Sequence, residues 1–288
     1  MNQVTNAFKV PYRLTENDQL CFVHLGKTGG STLSHILEAR FDPSEIIPRY
    51  GSVNDVLKFE TMDAIHNSRL IRVHGSPQAI RELSGPKKQL FLTMLREPVD
   101  RTLSYYYFVR SLPTHAVYDY ARRYDLDQFL ELDVPFRNQW SNYQVRMLSD
   151  TMKSKSDINL ARKVLHEEFI WIGLTEHYQE SLDLLSYTFA WPPLVRYDKI
   201  NVTKKRKVRD EIPETTLNKI IELNQHDIAL YNEATALFWE RYEQVKHTTR
   251  IVSSEYLRNL QTSRSEINDT FTELVSDHRD QLLRRIRK

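Results

Sequence analysis

Residues 19–32, QLCFVHLGKTGGST, decide the fold class of this chain. The first seven, Gln19–Leu25, are mostly apolar and end at a glycine-rich turn, which predicts a buried β-strand. The apolar residues behind the turn recur at helical spacing, which predicts a helix over Ser31–Arg40. A strand, a glycine-rich turn and a helix in this order are typical of an α/β protein.

The same alternation continues along the chain. Strands are predicted over Arg69–His74, Gln89–Leu95 and Phe169–Leu174, and helices over Asn54–His66, 98–110, Glu176–Phe189 and Pro213–Val245. Pro98 opens one of these helices at a position where its missing N–H costs nothing. Strands that alternate with helices predict an α/β fold with a central, mostly parallel sheet flanked by helices.

The chain of 288 residues is long enough for one large domain or two small ones. We predict one domain over residues 1–245 and a charged, helical C-terminal extension over residues 246–288. Apolar residues are sparse in Ser253–Arg287, and two interpretations stay open. The extension is an amphipathic helix packed on its own domain, or an arm that makes a homo-oligomer by binding a second copy of the chain.

Composition excludes several classes of protein. Lys and Arg number 40 and Asp and Glu 38, and a net charge of +2 argues against a nucleic-acid partner bound through bulk charge. The single cysteine, Cys21, cannot form an intramolecular disulfide or a cysteine-based metal site. Residues 1–20 lack the apolar core of a signal peptide, and no apolar run predicts a transmembrane anchor. We therefore expect a cytoplasmic protein.

Glycine is scarce, with seven in the chain against the ~7% usual in proteins, yet three lie within five positions. They belong to a loop that consists of Gly26, Lys27, Thr28, Gly29, Gly30, Ser31 and Thr32. Glycines at a strand-to-helix turn let backbone N–H groups approach an anion, and the helix N-terminus and the lysine add positive charge. The loop is therefore predicted to bind phosphate. It is not a Walker A loop, because its lysine precedes the glycine pair.

A second basic element follows the strand Gln89–Leu95. Arg96 stands at the carboxyl end of that strand, where ligands of open α/β sheets bind, and its planar guanidinium suits a phosphate. Ser104 lies two turns into the next helix and reaches the same phosphate if that helix lines the site. Arg101 is a second candidate for this phosphate or for a structural role. The alternative interpretation is a surface Arg–Asp pair above a core helix.

Together the two elements resemble the nucleotide-binding motifs of the sulfotransferases that use 3′-phosphoadenosine 5′-phosphosulfate (PAPS). Residues 27–32 resemble the 5′-phosphosulfate loop, and Arg96 followed eight positions later by Ser104 resembles the 3′-phosphate element. Later segments are similar, in the same order, to segments of the heparan sulfate 2-O-sulfotransferases and their bacterial relatives: Asn142–Leu148, Ile172–Leu182 and Asn201–Lys204. The resemblance implies a P-loop-like fold. It departs at Gly26, where the family usually has proline.

The resemblance implies transfer of a sulfuryl group from PAPS to a hydroxyl of a saccharide, a glycolipid or another small acceptor, with release of PAP and without a metal. Lys27 is then placed to stabilise the charge that develops on the leaving phosphate oxygen. His74 is the predicted general base, because it ends a strand and because an unperturbed imidazole, which titrates at pH ~6.5, suits such a role. His24 is the alternative base. The family has His-Gly-His where this chain has His74-Gly75-Ser76.

Further interpretations stay open. Lys204, Lys205 and Arg206 form the densest basic run, which is either a solvated loop or a flap over the nucleotide phosphates. The aromatic-rich segment 112–142 builds either an acceptor site or a core. Alternative functions are a P-loop-like, ATP-dependent kinase and a catalytically inactive nucleotide-binding scaffold. Animal members of the family are anchored Golgi enzymes, so the absence of a predicted anchor makes this chain similar to a bacterial, cytosolic member.

Overall fold

The computed structural model describes residues 11–47, 51–192, 194 and 209–260, with side chains placed as far as residue 246. Within them, one sheet contains β1 (Asp18–Val23), β2 (Leu70–Val73), β3 (Lys88–Leu95) and β4 (Phe169–Leu174). All are parallel, in the order β2-β1-β3-β4. Apart from the first two residues of β3, every strand residue is buried, as a parallel sheet covered on both faces requires. The predicted α/β fold is confirmed.

Helices flank the sheet and extend beyond it. They are α1 (Gly30–Glu38), α2 (Val53–Phe59), α3 (Met62–Asn67), α4 (Pro77–Leu83), α5 (Pro98–Ser111), α6 (Tyr118–Arg123), α7 (Leu126–Glu131), α8 (Tyr143–Leu148), α9 (Ile158–Glu167), α10 (Tyr178–Thr188), α11 (Glu214–Leu223) and α12 (Gln225–Leu260). Short 3-10 turns lie over Pro43–Glu45, Arg137–Gln139, Thr175–His177 and Arg209–Glu211.

Two helices that were predicted to be continuous are divided in the structure. The helix over Asn54–His66 breaks after α2, and the hydroxyl of Thr61 then accepts the Ala64 N–H to begin α3. The helix over Pro213–Val245 breaks at Asn224, whose side-chain amide donates to the carbonyls of Trp140 and Ile220. Local capping and a tertiary hydrogen bond override a periodicity that runs through both breaks.

The sheet brings the ends of its four strands to one edge. Leu20 of β1 lies opposite Leu70 of β2 and Leu90 of β3, so the carboxyl ends of these three strands lie side by side. His74 follows β2, and Arg96 follows β3. The glycine-rich loop follows β1 between them, at the edge where α/β proteins bind ligands.

A second core lies beside the sheet, between α5, α6, α7 and α11. Its centre is the ring of Trp140, which packs 4.4 Å from the ring of Phe129, both of them buried. Much of the aromatic-rich segment 112–142 is therefore core. Phe136 and Tyr120 of this segment are exposed.

The last described helix, α12, runs through the predicted domain boundary at residue 246 without a break. Phe238 and Val245 are buried in the main core, so the first half of this helix belongs to the sheet domain. Residues 261–288, most of the predicted extension, lie outside the described residues, and its two interpretations stay predictions. None of the described helices combines the length and apolar character that a membrane crossing needs.

Candidate functional site

The glycine-rich loop begins at Gly26, whose peptide groups are held from two sides. The Gly26 N–H donates to the hydroxyl of Tyr143 (3.1 Å), and Arg101 Nε donates to the Gly26 carbonyl (3.1 Å). The Arg101 guanidinium in turn lies 3.7 Å from the centre of the Tyr143 ring. A proline at position 26 would have no N–H to donate. The bond to Tyr143 therefore constrains the loop where relatives usually have proline.

The next three carbonyls also point to donors on other elements. Those of residues 27–29 accept from Arg96 Nη1 (3.1 Å), Thr175 Oγ1 (2.8 Å) and Tyr178 OH (3.1 Å), in that order. Residues 27 and 29 have φ of 71° and 78°, and residue 28 between them does not have a positive φ. Alternation of this kind gathers backbone N–H groups into a concavity that binds anions.

The hydroxyl residues of the loop differ in their surroundings. Thr28 is fully buried, and its hydroxyl donates to the Leu25 carbonyl (2.9 Å), so this side chain stabilises the turn. Ser31 and Thr32 lie in the first turn of α1, where the backbone N–H groups of a helix are available to an anion.

Lys27 carries an unusually acidic ammonium group. Its Nζ lies 3.9 Å from the centre of the Phe108 ring. Burial is the largest cause, and the nearby charges of Arg96 and Arg101 act in the same direction; together they lower its pKa to about 8. Three cations so close together favour an anionic ligand, because an anion between them relieves their repulsion.

His74 is oriented by the backbone of the neighbouring strand end. Its Nδ1 lies 2.6 Å from the carbonyl oxygen of His24, and a carbonyl only accepts, so Nδ1 carries a hydrogen. In the neutral ring the lone pair is therefore on Nε2, as a general base requires. The two imidazoles stack with centres 4.2 Å apart.

Ser76, where the chain departs from the His-Gly-His of the 2-O-sulfotransferases that it resembles, caps a helix. Its hydroxyl accepts the Ala79 N–H (3.1 Å) at the start of α4, and the residue is buried. His24, the alternative base, is buried between the rings of Phe22 and His74. The geometry therefore favours His74 over Ser76 and His24 as the candidate general base.

Arg96 lies against the loop, and the side chain of Gln144 forms two hydrogen bonds with its backbone. The Arg96 N–H donates to Gln144 Oε1 (2.9 Å), and Gln144 Nε2 donates to the Arg96 carbonyl (2.8 Å). The Arg96 guanidinium lies 3.9 Å from Glu176. Ser104 is buried within α5. The structure thus places Arg96 beside Lys27 and gives Ser104 an internal position on the adjoining helix.

A cleft of about 840 Å³ opens at this sheet edge. Gly26, Lys27 and His74 line it together, whereas Arg96 and Ser104 are not among the described residues that line it. Tyr105 and Arg101 also line the cleft, although both are almost completely buried. The Tyr105 hydroxyl and Arg101 Nη2 have no hydrogen-bond partner in the described part of the chain. These donors suit the oxygen atoms of a ligand.

The segment Asn142–Leu148, one of those that carry the resemblance, connects the cleft to the last helix. The Asn142 side chain accepts the backbone N–H groups of His226 (2.9 Å) and Asp227 (3.2 Å). The buried Asp227 carboxylate accepts the N–H groups of Gln144 (3.0 Å) and Val145 (2.8 Å) at the start of α8. This motif therefore positions Gln144 and Tyr143, and sequence reasoning assigned neither residue a role.

The remaining predicted residues, Lys204, Lys205 and Arg206, lie outside the described residues, as does the Asn201–Lys204 segment. No cluster of His, Cys, Asp or Glu that could hold a metal ion occurs in the part of the chain that the structure describes.

Comparison with known proteins identifies the family of this chain. A model of the sulfotransferase family matches residues 10–232. The chain is 24% identical to heparan-sulfate 6-O-sulfotransferase 2 of Gallus gallus, over 83% of this chain and 71% of that protein. It is 28% identical to the human heparan-sulfate 6-O-sulfotransferase 3, over 82% of this chain and 61% of that protein. These relatives do not confirm the 2-O-sulfotransferase branch. Among solved structures, mouse sulfotransferase SULT7A1 complexed with PAP is similar with a TM-score of 0.38 and 15% identity, over 77% of this chain and 68% of that chain.

The family match covers most of the chain and includes the glycine-rich loop, His74 and Arg96. The chain therefore belongs to the sulfotransferase family, and its activity is the transfer of a sulfuryl group from PAPS to an acceptor hydroxyl.

Proposed function

We propose that this chain sulfates a hydroxyl of a saccharide acceptor, with Lys27 and His74 as its catalytic residues. The observation that carries the proposal is that both side chains line one cleft, while the His24 carbonyl holds His74 Nδ1 and so keeps Nε2 basic. The names of the known relatives, heparan-sulfate 6-O-sulfotransferases, support a saccharide as the acceptor.

Each residue of the site has a defined task in this reaction. PAPS supplies the sulfuryl group and leaves as PAP. His74 Nε2 accepts the proton of the acceptor hydroxyl as its oxygen bonds to sulfur. Lys27 stabilises the negative charge that grows on the phosphate oxygen as the sulfur–oxygen bond breaks. Arg101 Nη2 and the Tyr105 hydroxyl are further donors at the same end of the cleft.

We assign the nucleotide phosphates to the elements that the sequence predicted. The loop Gly26–Thr32 takes the 5′-phosphate through its backbone N–H groups, and Arg96 with Ser104 takes the 3′-phosphate. The interpretation of Lys204, Lys205 and Arg206 as a flap over the phosphates stays a prediction, because they lie outside the described residues. The location in the cytoplasm and the association of two copies through the C-terminal helix stay predictions. Light scattering of the full chain tests whether two copies associate.

Thermal shift with PAP, PAPS and ATP tests the choice of nucleotide. We expect PAP and PAPS to raise the melting temperature more than ATP does. Stabilisation by ATP without stabilisation by PAP would favour the kinase alternative.

Release of PAP, measured against a panel of saccharides, tests the catalytic roles. Lys27→Ala and His74→Ala should each lower the rate by at least ~100-fold. Lys153→Ala is the matched control, because this exposed lysine lines the same cleft without a proposed role. Full activity in either catalytic variant would remove that residue from the mechanism. A wild-type chain that binds PAP but sulfates no acceptor would favour the scaffold alternative.

A further inference from the structure

Residues of α2, α3 and α4 also line the cleft, and their apolar side chains are called the apolar wall below. Four apolar side chains form it: Val53, Leu57, Met62 and Leu83. The mechanism proposed above uses none of them. Since one continuous cleft contains both this wall and His74, whatever binds at the reaction site has the wall as its neighbour.

Two of the four residues of this apolar wall are unusually accessible to solvent, whereas Leu83 is buried. Leu57 is 52% exposed and Met62 is 45% exposed, although both are large hydrophobic residues. Phe59, between them in sequence, is 60% exposed and does not line the cleft. Single exposed hydrophobic residues are common, but two that line the same reaction cleft form an apolar surface that a ligand in the cleft can contact.

The charges on the same walls argue against a polyanionic acceptor. Apart from Lys27 and Arg101 at the catalytic end, the described lining contains the carboxylates of Glu82 and Asp150 and the ammonium of Lys153. A saccharide chain that carries many sulfates or carboxylates would meet two carboxylates and one ammonium there, so this part of the cleft offers it no net attraction. A neutral sugar requires none.

We infer that the acceptor is amphipathic: a sugar linked to an alkyl or similar apolar group, which packs against Val53, Leu57, Met62 and Leu83. This inference rests on the proposed function, because His74 and Lys27 place the sugar hydroxyl. The inferred acceptor differs from heparan sulfate, the acceptor that the names of the relatives specify. Burial of apolar area on the wall supplies binding energy remote from the reacting hydroxyl.

The test measures binding of two neutral probes to the PAP-loaded chain by calorimetry. Octyl β-glucoside, kept below its micelle concentration, should bind at least ~10-fold more tightly than methyl β-glucoside, a difference of about 1.4 kcal/mol. The double variant Leu57→Ser with Met62→Ser should lose most of this ratio. Both positions are about half exposed, so the fold should tolerate the change, and an unaltered PAP-induced thermal shift checks this.

Phe59→Ser is the matched control, since it removes an equally exposed hydrophobic residue that does not line the cleft. Its octyl-to-methyl ratio should equal that of the wild type. Equal binding of the two probes, an unchanged ratio in the double variant, or displacement of octyl glucoside by a heparosan oligosaccharide would each overturn the inference while PAP binding stands. Failure of the wild type to bind PAP would instead overturn the proposed function, and this inference with it.

Discussion

Replacement of Gly30 by alanine should damage the site through the ring of His24. A Cβ at position 30 would lie 2.2 Å from His24 Cδ2 and 2.4 Å from Nε2. The backbone of Gly30 does not have a positive φ, so the glycine is required for space alone. The ring cannot retreat freely, because it is packed between Phe22 (5.3 Å) and His74 (4.2 Å, centre to centre).

The size of the effect follows from these distances. Ordinary contact begins at 3.4 Å, so the ring must move by about 1.2 Å. Overpacking of this kind costs about 1–3 kcal/mol. For a chain of this size, that lowers the melting temperature by about 2–12 °C. The moving ring also displaces the stacked His74, and a misplacement of ~1 Å lowers the rate by up to ~100-fold.

A double-mutant cycle isolates the clash. Gly30→Ala is made in the wild type and in His24→Ala, and the free energy of unfolding is measured by urea denaturation in each. In the background without the imidazole, the added methyl group should cost almost nothing. Gly51→Ala is the control, because its Cβ would meet no atom closer than Asp55 Oδ2 at 3.4 Å.

The rate of PAP release complements the stability measurement. We expect Gly30→Ala to lower this rate by ~10- to 100-fold. If alanine at position 30 destabilises the chain equally with and without the His24 ring, or if neither stability nor rate changes, the steric reasoning is wrong.

Three other perturbations test separate parts of the site. Because the pKa of Lys27 is lowered to about 8 and its charged form is the one proposed to act, kcat/KM for PAPS should fall as the pH rises through about 8. Lys27→Arg should move that decline to higher pH, and an unmoved decline would contradict the role. Tyr143→Phe removes the acceptor of the Gly26 N–H and should lower the free energy of unfolding by about 1–3 kcal/mol and weaken PAP binding in calorimetry. Unchanged PAP affinity would show that this bond does not shape the loop. Asp227→Asn replaces one accepting oxygen at the start of α8 with a donor and should cost about 1–3 kcal/mol in urea denaturation, whereas a neutral result would mean that the carboxylate is dispensable as a cap.

The strands were predictable because buried parallel strands require runs of apolar residues, which are visible in one dimension. Phe169–Leu174 matches its prediction residue for residue, and the predicted strand Gln89–Leu95 begins one residue late. The helix breaks at Thr61 and Asn224 were missed. The Asn224 break depends on a bond to Trp140, a residue 84 positions away.

The glycine-rich loop was predictable for a similar reason. Its glycines, lysine and hydroxyl residues are consecutive, so the residue types that suit an anion site occur side by side in the sequence. The constraints on that loop were not predictable in this way. Thr175 and Tyr178 donate to loop carbonyls that lie almost 150 positions earlier in the chain. Gln144 binds the backbone of Arg96, a residue 48 positions away.

Local composition and periodicity were enough to predict an α/β protein with a phosphate-binding loop after its first strand, and the structure confirms the α/β fold. The tertiary structure is needed to tell which nitrogen of His74 is basic, because that follows from a carbonyl on the adjacent strand end. It also decided that Arg101 and Tyr143 hold Gly26, and that Leu57 and Met62 face the cleft of Lys27. These relations join residues far apart in the chain, and only the order of strands and the packing of helices on the sheet bring them together.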